Sequence, residues 1–158
     1  MHAGAGKLFE TTIPDGGFPM SYNVEVKKNL AMPRAKVFAA LTDFGGVDKI
    51  LPGALKSCSL VGSGIGSVRH IELADGGKVS ERLEMAHDNS VFAYSIVANT
   101  ALPVENYFAC VTLADDGKGG TNAVWASNWT AKGAPEAEIV PMLEGLYTAL
   151  LDGIAKAG

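Results

Sequence analysis

Between residues 54 and 131 the chain alternates six β-type segments with turns too short to hold a crossover, and it then runs into one long apolar-faced helix. The segments are 54–61, 67–73, 78–87, 90–98, 104–114 and 121–131. Between most of them stand Gly62-Ser63-Gly64-Ile65-Gly66, Asp75-Gly76-Gly77, Asp88-Asn89 and Asp115 to Gly120, residues that favour tight turns. Parallel neighbours need a dozen or more connecting residues, so these segments pair as antiparallel hairpins. The final segment opens at Pro135-Glu136 and carries Ile139, Met142, Leu143, Leu146, Tyr147, Leu150 and Ile154 at helical spacing. Pro141 there belongs to the first turn or kinks the helix. A helix with so wide an apolar face must bury it, and the large surface available is the concave face of a curved sheet.

Upstream, Tyr22, Val24 and Val26 alternate with polar residues and predict one further half-buried strand. Pro33 suits the first position of a helix that buries Val37, Phe38 and Leu41 and ends at Phe44-Gly45-Gly46. A short helical turn over 47–51 stops at Pro52-Gly53. The expected class is therefore α+β: a curved seven-stranded antiparallel sheet around a long C-terminal helix, with one or two short helices after the first strand. At 158 residues, 47% of them apolar, the chain supplies one well-cored domain. We assign it to residues 21–158 and read 1–20 as an N-terminal arm, a candidate lid or homodimer contact.

The informative charges are those on apolar strand faces. Glu81 is the charge on the face of Val79 and Leu83; Arg69 shares one with Ile71 and Leu73. By the same alternation Lys56 falls with Ala54, Cys58 and Leu60, and Glu105 with Tyr107, Ala109 and Val111. A lone charge facing an apolar interior costs several kcal/mol unless it is paired or hydrated. Two readings follow. Either the strands line a partly hydrated cavity of the kind that takes a small molecule, or the charges form an internal ion network that only satisfies itself. A cavity would be walled by Ile71, Leu73, Val79, Leu83, Tyr94, Ile96 and Glu105, by Trp125 and Asn128 of the last strand, and by Leu143 and Tyr147 of the helix.

Other signals carry less. The net charge of −4 speaks against nucleic acid and anionic membranes. No segment reaches the ~20 apolar residues of a membrane helix, and the N-terminus lacks a signal-peptide pattern, so a cytoplasmic address is expected. Cys58 and Cys110 read as core thiols. His2, His70 and His87 lack zinc spacing, so no metal is expected. Gly62-x-Gly64-x-Gly66 leads into a strand and offers phosphate no helix N-terminus. No cofactor motif is present.

The closing Ala134-Pro135-Glu136 helix, Gly64-x-Gly66-Ser67-Val68-Arg69 and the order of elements over about residues 22–156 resemble the START/polyketide-cyclase superfamily (SRPBCC), the helix-grip fold of the birch-pollen allergens. Within it, Lys56-Ser57-Cys58-Ser59, Ser80-Glu81-Arg82-Leu83 and Asn106-Tyr107 are similar to the plant abscisic-acid receptors. The resemblance implies that Lys56 meets a ligand carboxylate and that Glu81 and Tyr107 face a pocket; Arg69 matches the arginine of the G-x-R hairpin. The receptor gate is replaced by Ala74-Asp75-Gly76-Gly77-Lys78 and the latch by Leu102-Pro103-Val104, so phosphatase-coupled signalling is not implied.

Two functions are then expected from one pocket. The first is a cofactor-independent enzyme, a cyclase, dehydratase or lyase acting on a small aromatic or polyketide-like molecule, with a carboxylate or phenol as its expected polar group. Glu81 would serve as acid or base, Lys56 and Arg69 would stabilise developing negative charge, and Tyr107, Tyr94 and Tyr147 would donate hydrogen bonds. The second is a carrier for a hydrophobic molecule, without turnover.

Overall fold

The computed structural model describes residues 22–158; the proposed arm lies outside the described residues. In chain order the elements are β1 (Val24–Leu30), α1 (Arg34–Thr42), a 3-10 segment (Phe44–Lys49), β2 (Leu55–Val61), β3 (Val68–Leu73), β4 (Lys78–His87), β5 (Val91–Asn99), β6 (Val104–Asp115), β7 (Thr121–Ala131) and α2 (Glu136–Ala157). The seven strands form one antiparallel sheet in the order β1-β7-β6-β5-β4-β3-β2. This is the helix-grip architecture expected from the hairpin turns and the terminal helix.

The first strand starts and ends later than its alternation suggested, at Val24 and Leu30, because it pairs in full with β7 from Ser127 to Thr121. Pro33 caps α1 rather than occupying its first turn: its ψ of 147° is extended, and its carbonyl accepts from the amides of Lys36 and Val37. Pro135 does the same for α2. Pro141 lies beyond the first turn, and the helix continues through it without a donor at that position.

α2 lies in the concavity of the sheet. Ile139, Leu143, Tyr147, Leu151 and Ile154 are fully buried and meet Val24, Phe92, Val111 and Trp125 in one core. Gly153 permits the closest approach. A Cβ there would stand 1.8 Å from the Ile50 carbonyl oxygen, so only glycine lets α2 cross the end of the 3-10 segment. Val47 and Leu51, on either side of that crossing, pack against the core.

Four strand irregularities interrupt the pairing register. The register of β2 against β3 shifts between Leu55 and Ser57; that of β4 against β5 shifts at Val97, an extra residue of β5 that leaves the alternation of β4 through Glu81 intact, and again at Glu84; and β6 shifts against β7 between Glu105 and Phe108, where Asn106 adopts φ 53°. A bulge adds one residue to one strand and turns its later side chains to the other face.

Candidate functional site

A partly open cavity of about 230 Å³ lies between the concave sheet and α2. β3 supplies Arg69, Ile71 and Leu73, β4 supplies Val79 and Glu81, and Tyr94 and Tyr107 come from β5 and β6. The 3-10 segment and its exit supply Val47, Leu51 and Leu55, the β5–β6 turn supplies Leu102, and α2 supplies Met142, Leu146 and Leu150. The volume is roughly one and a half times the ~150 Å³ of a cavity that takes benzene, so a bicyclic aromatic is of the right size.

Strand alternation explains why Arg69 and Glu81 are here. They are direct partners across β3 and β4, so both point to the concave side. Arg69 Nε donates to Glu81 Oε2 over 2.6 Å. Arg69 Nη1 donates to the Phe44 carbonyl over 3.2 Å, and its guanidinium lies 4.0 Å from the Phe44 ring centroid and 5.5 Å from that of Tyr94. Charge pairing and ring stacking together offset the desolvation of the guanidinium. Oε2 is engaged by Arg69, while Oε1 makes no hydrogen bond among the described residues.

A line of hydroxyls stands beside the pair. Tyr94 Oη is 3.1 Å from Tyr107 Oη, Tyr107 Oη is 2.5 Å from Tyr147 Oη, and Tyr147 donates to Ser127 Oγ over 2.7 Å. Burial pushes the phenols of Tyr94 and Tyr107 well up, and it raises Tyr147 to about 12. All three are therefore neutral hydroxyls at physiological pH.

The alternation reading is met at Arg69, Ile71, Leu73, Val79, Glu81, Tyr94 and Tyr107, which line the space. Leu83, Trp125, Leu143 and Tyr147 are buried in the core behind it, and Ile96 packs beside Glu81, its cross-strand partner. Trp125 stacks on Tyr147 with centroids 5.4 Å apart.

Three expected residues lie elsewhere. Lys56 occupies the irregular position of β2, so it turns to the outer face, where its side chain is 67% exposed and pairs with Glu72. Glu105 precedes the β6 irregularity; Val104 takes the inward place, and Glu105 stands exposed near Lys132. Asn128 is an exposed outward residue of β7 whose Oδ1 accepts from the Asn23 amide. The carboxylate anchor that Lys56 was to provide is thus absent from the cavity.

Met142, Leu146 and Leu150 were in the apolar helical pattern, spaced at four residues, but their neighbours Leu143 and Tyr147 were assigned to the wall instead. Val47 lies in the short 3-10 segment, and Leu51, Leu55 and Leu102 sit in turns or at a strand end, where periodicity gives no direction. Ser127 alternates with Trp125 and Trp129, and that inward phase was the available sign of its role.

Among the described residues no group of three or more His, Cys, Asp or Glu side chains is placed to hold a metal, and no helix is long and apolar enough to cross a membrane. Cys58 and Cys110 are half-buried free thiols whose protonated form burial favours.

The profile of the family described as polyketide cyclase / dehydrase and lipid transport matches residues 21–158. Among solved structures, XoxI from Bacillus cereus superposes with a TM-score of 0.73 at 24% identity, over 84% of this chain and 92% of that one. Norcoclaurine synthase from Thalictrum flavum, in complex with dopamine and hydroxybenzaldehyde, gives 0.68 at 17%, over 84% and 83%. Ara h 8.0201 gives 0.68 at 22%, over 84% and 93%. No functionally curated protein matches the sequence significantly. At these identities the structural likenesses establish the fold.

Proposed function

The chain belongs to the polyketide cyclase / dehydrase and lipid transport family, and from that premise we propose that it binds a small, mostly apolar aromatic or polyketide-like molecule and catalyses proton transfer on it without a cofactor. One observation carries the proposal. Glu81 presents a carboxylate to an otherwise largely apolar cavity, held in place through one oxygen by Arg69. A fixed carboxylate in a largely apolar cavity is suited to general acid–base work, which contributes ~10²–10⁴-fold. Glu81 takes a proton from a hydroxyl or an activated carbon of the guest. Arg69 balances the charge of the carboxylate, and the protonated Glu81 returns the proton at carbon or at a leaving hydroxyl. Cyclisation and dehydration are built from these two transfers.

The likeness to norcoclaurine synthase, whose structure holds dopamine and hydroxybenzaldehyde, supports an aromatic guest. The Arg69–Glu81 ion pair favours the alternative of a non-catalytic carrier, because the two charges balance each other without a substrate.

One experiment decides between them. The probe is 1,3-dihydroxynaphthalene, a bicyclic polyketide-like phenol, incubated in D₂O and followed by proton NMR. In D₂O the hydroxyl carries deuterium; Glu81 takes that deuteron to give the phenolate, delivers it to the adjacent ring carbon, then accepts the original C–H proton from that carbon and releases it to solvent, which restores the aromatic ring. The expected result is exchange well above the buffer rate, falling to that rate in Glu81→Gln. Saturable binding with no acceleration would identify a carrier.

A further inference from the structure

The hydroxyl line has a direction. Each hydroxyl carries one hydrogen. Tyr147 gives its hydrogen to Ser127, so its oxygen is left to accept from Tyr107. Tyr107 is then committed as a donor to Tyr147 and accepts from Tyr94. The order of donation runs from Tyr94 through Tyr107 and Tyr147 to Ser127, away from the cavity. Ser127 is 1% exposed, and this is the hydrogen bond its hydroxyl makes among the described residues. Burial keeps the phenols protonated, so no hydrogen leaves the line at neutral pH.

Tyr94 and Tyr107 therefore offer the cavity oxygen lone pairs rather than hydrogens. Glu81 Oε1 adds a further acceptor. Arg69, the cation on this wall, commits its Nε to Glu81 and its Nη1 to the Phe44 carbonyl; its Nη2 makes no hydrogen bond among the described residues and is the donor against which the acceptor preference of the tyrosine line works. The donor role first expected of the tyrosines is reversed by the position of one serine.

We infer that the cavity selects guests that donate a hydrogen bond, an aromatic phenol, enol or amine, over same-sized guests that only accept one, and that Ser127 is the positioning residue that sets this preference. The inference rests on the reading of the cavity as a ligand site. Without the Ser127 acceptor, or without the Tyr147 link, the line can reverse and turn a tyrosine hydrogen toward the guest.

The test is calorimetric titration of the full-length protein with 2-naphthol, 2-naphthaldehyde and 2-methoxynaphthalene, which share one ring system. The wild type is expected to bind 2-naphthol about tenfold more tightly than the other two, the worth of one good net hydrogen bond. Ser127→Ala and Tyr147→Phe should each abolish or invert the naphthol-to-aldehyde ratio while leaving 2-methoxynaphthalene nearly unchanged. Equal weakening of all three probes in both variants would mean a merely structural role and overturn the inference. So would a wild type that binds the aldehyde as well as the naphthol. If none of the three binds the wild type, the ligand-site reading itself fails and takes this inference with it, a result distinct from lost selectivity.

Discussion

Arg69 Nε lies 2.6 Å from Glu81 Oε2, and the two residues are direct cross-strand partners on β3 and β4. Their side chains are 8% and 11% exposed. Removing one member strands a buried charge and should cost about 3–5 kcal/mol. Arg69→Met and Glu81→Leu are each expected to lower the urea midpoint sharply, and the double variant should recover most of the loss. Additive losses in the double variant would show that the pair is not the unit of stability.

The tyrosine line gives a pH dependence with a definite sign. The folded state raises Tyr147 to about 12 and pushes Tyr94 and Tyr107 well up, whereas an unfolded tyrosine ionises near pH ~10. Stability from these groups is complete below the unfolded value. Above it the unfolded chain holds fewer protons than the folded one, so stability falls as pH rises, by about 1.4 kcal/mol per unit for each such tyrosine. Denaturant titrations between pH 9 and 12 should show this decline. The tyrosinate absorbance of the three residues should appear together with unfolding, not before it.

Two glycines of α2 should respond in opposite ways. A Cβ at Gly153 would meet the Ile50 carbonyl at 1.8 Å, a backbone atom that cannot step aside. Gly153→Ala should destabilise by roughly 1–3 kcal/mol and weaken 2-naphthol binding, because the displaced segment carries Val47 and Leu51. At Gly145 a Cβ meets nothing within 4 Å. Gly145→Ala should stabilise by up to about 1 kcal/mol through helix propensity alone, with binding unchanged. Thermal melts and titrations of the pair check both.

Lys56 pairs with Glu72 on the outer face, with its side chain 67% exposed. Such pairs contribute about 0–1 kcal/mol. Lys56→Ala should leave 2-naphthol affinity and proton exchange as in the wild type. A loss of binding would restore the residue to the cavity and contradict the bulged register of β2.

Turn residues and terminal-helix periodicity made the sheet and its wrapped helix legible, because hairpin turns leave few pairings open. Side-chain direction was legible wherever alternation ran uninterrupted, which is why Arg69, Val79, Glu81 and Tyr94 fall where the pattern put them. It failed at Lys56 and Glu105, since each lies at a one-residue irregularity that inverts the phase and has no clear compositional mark. Asn106 with its positive φ is the nearest to a sign, asparagine being tolerant of that conformation. The helix wall was displaced by one position, from Leu143 and Tyr147 to Met142 and Leu146, because a wide apolar stripe does not say which of its rows meets a void and which meets the core. The direction of the hydroxyl line depends on atomic geometry at Ser127 and has no sequence signature.

Amide NMR of ¹⁵N-labelled protein titrated with 2-naphthol tests the existence of the site most directly. Saturating shifts are expected at Ile71, Val79, Glu81, Tyr107 and Leu146, with the outer-face residues Lys56, His70 and Glu105 unmoved. Shifts confined to the outer face, or none at concentrations where the dissolved probe is in large excess, would contradict a ligand cavity between the sheet and α2.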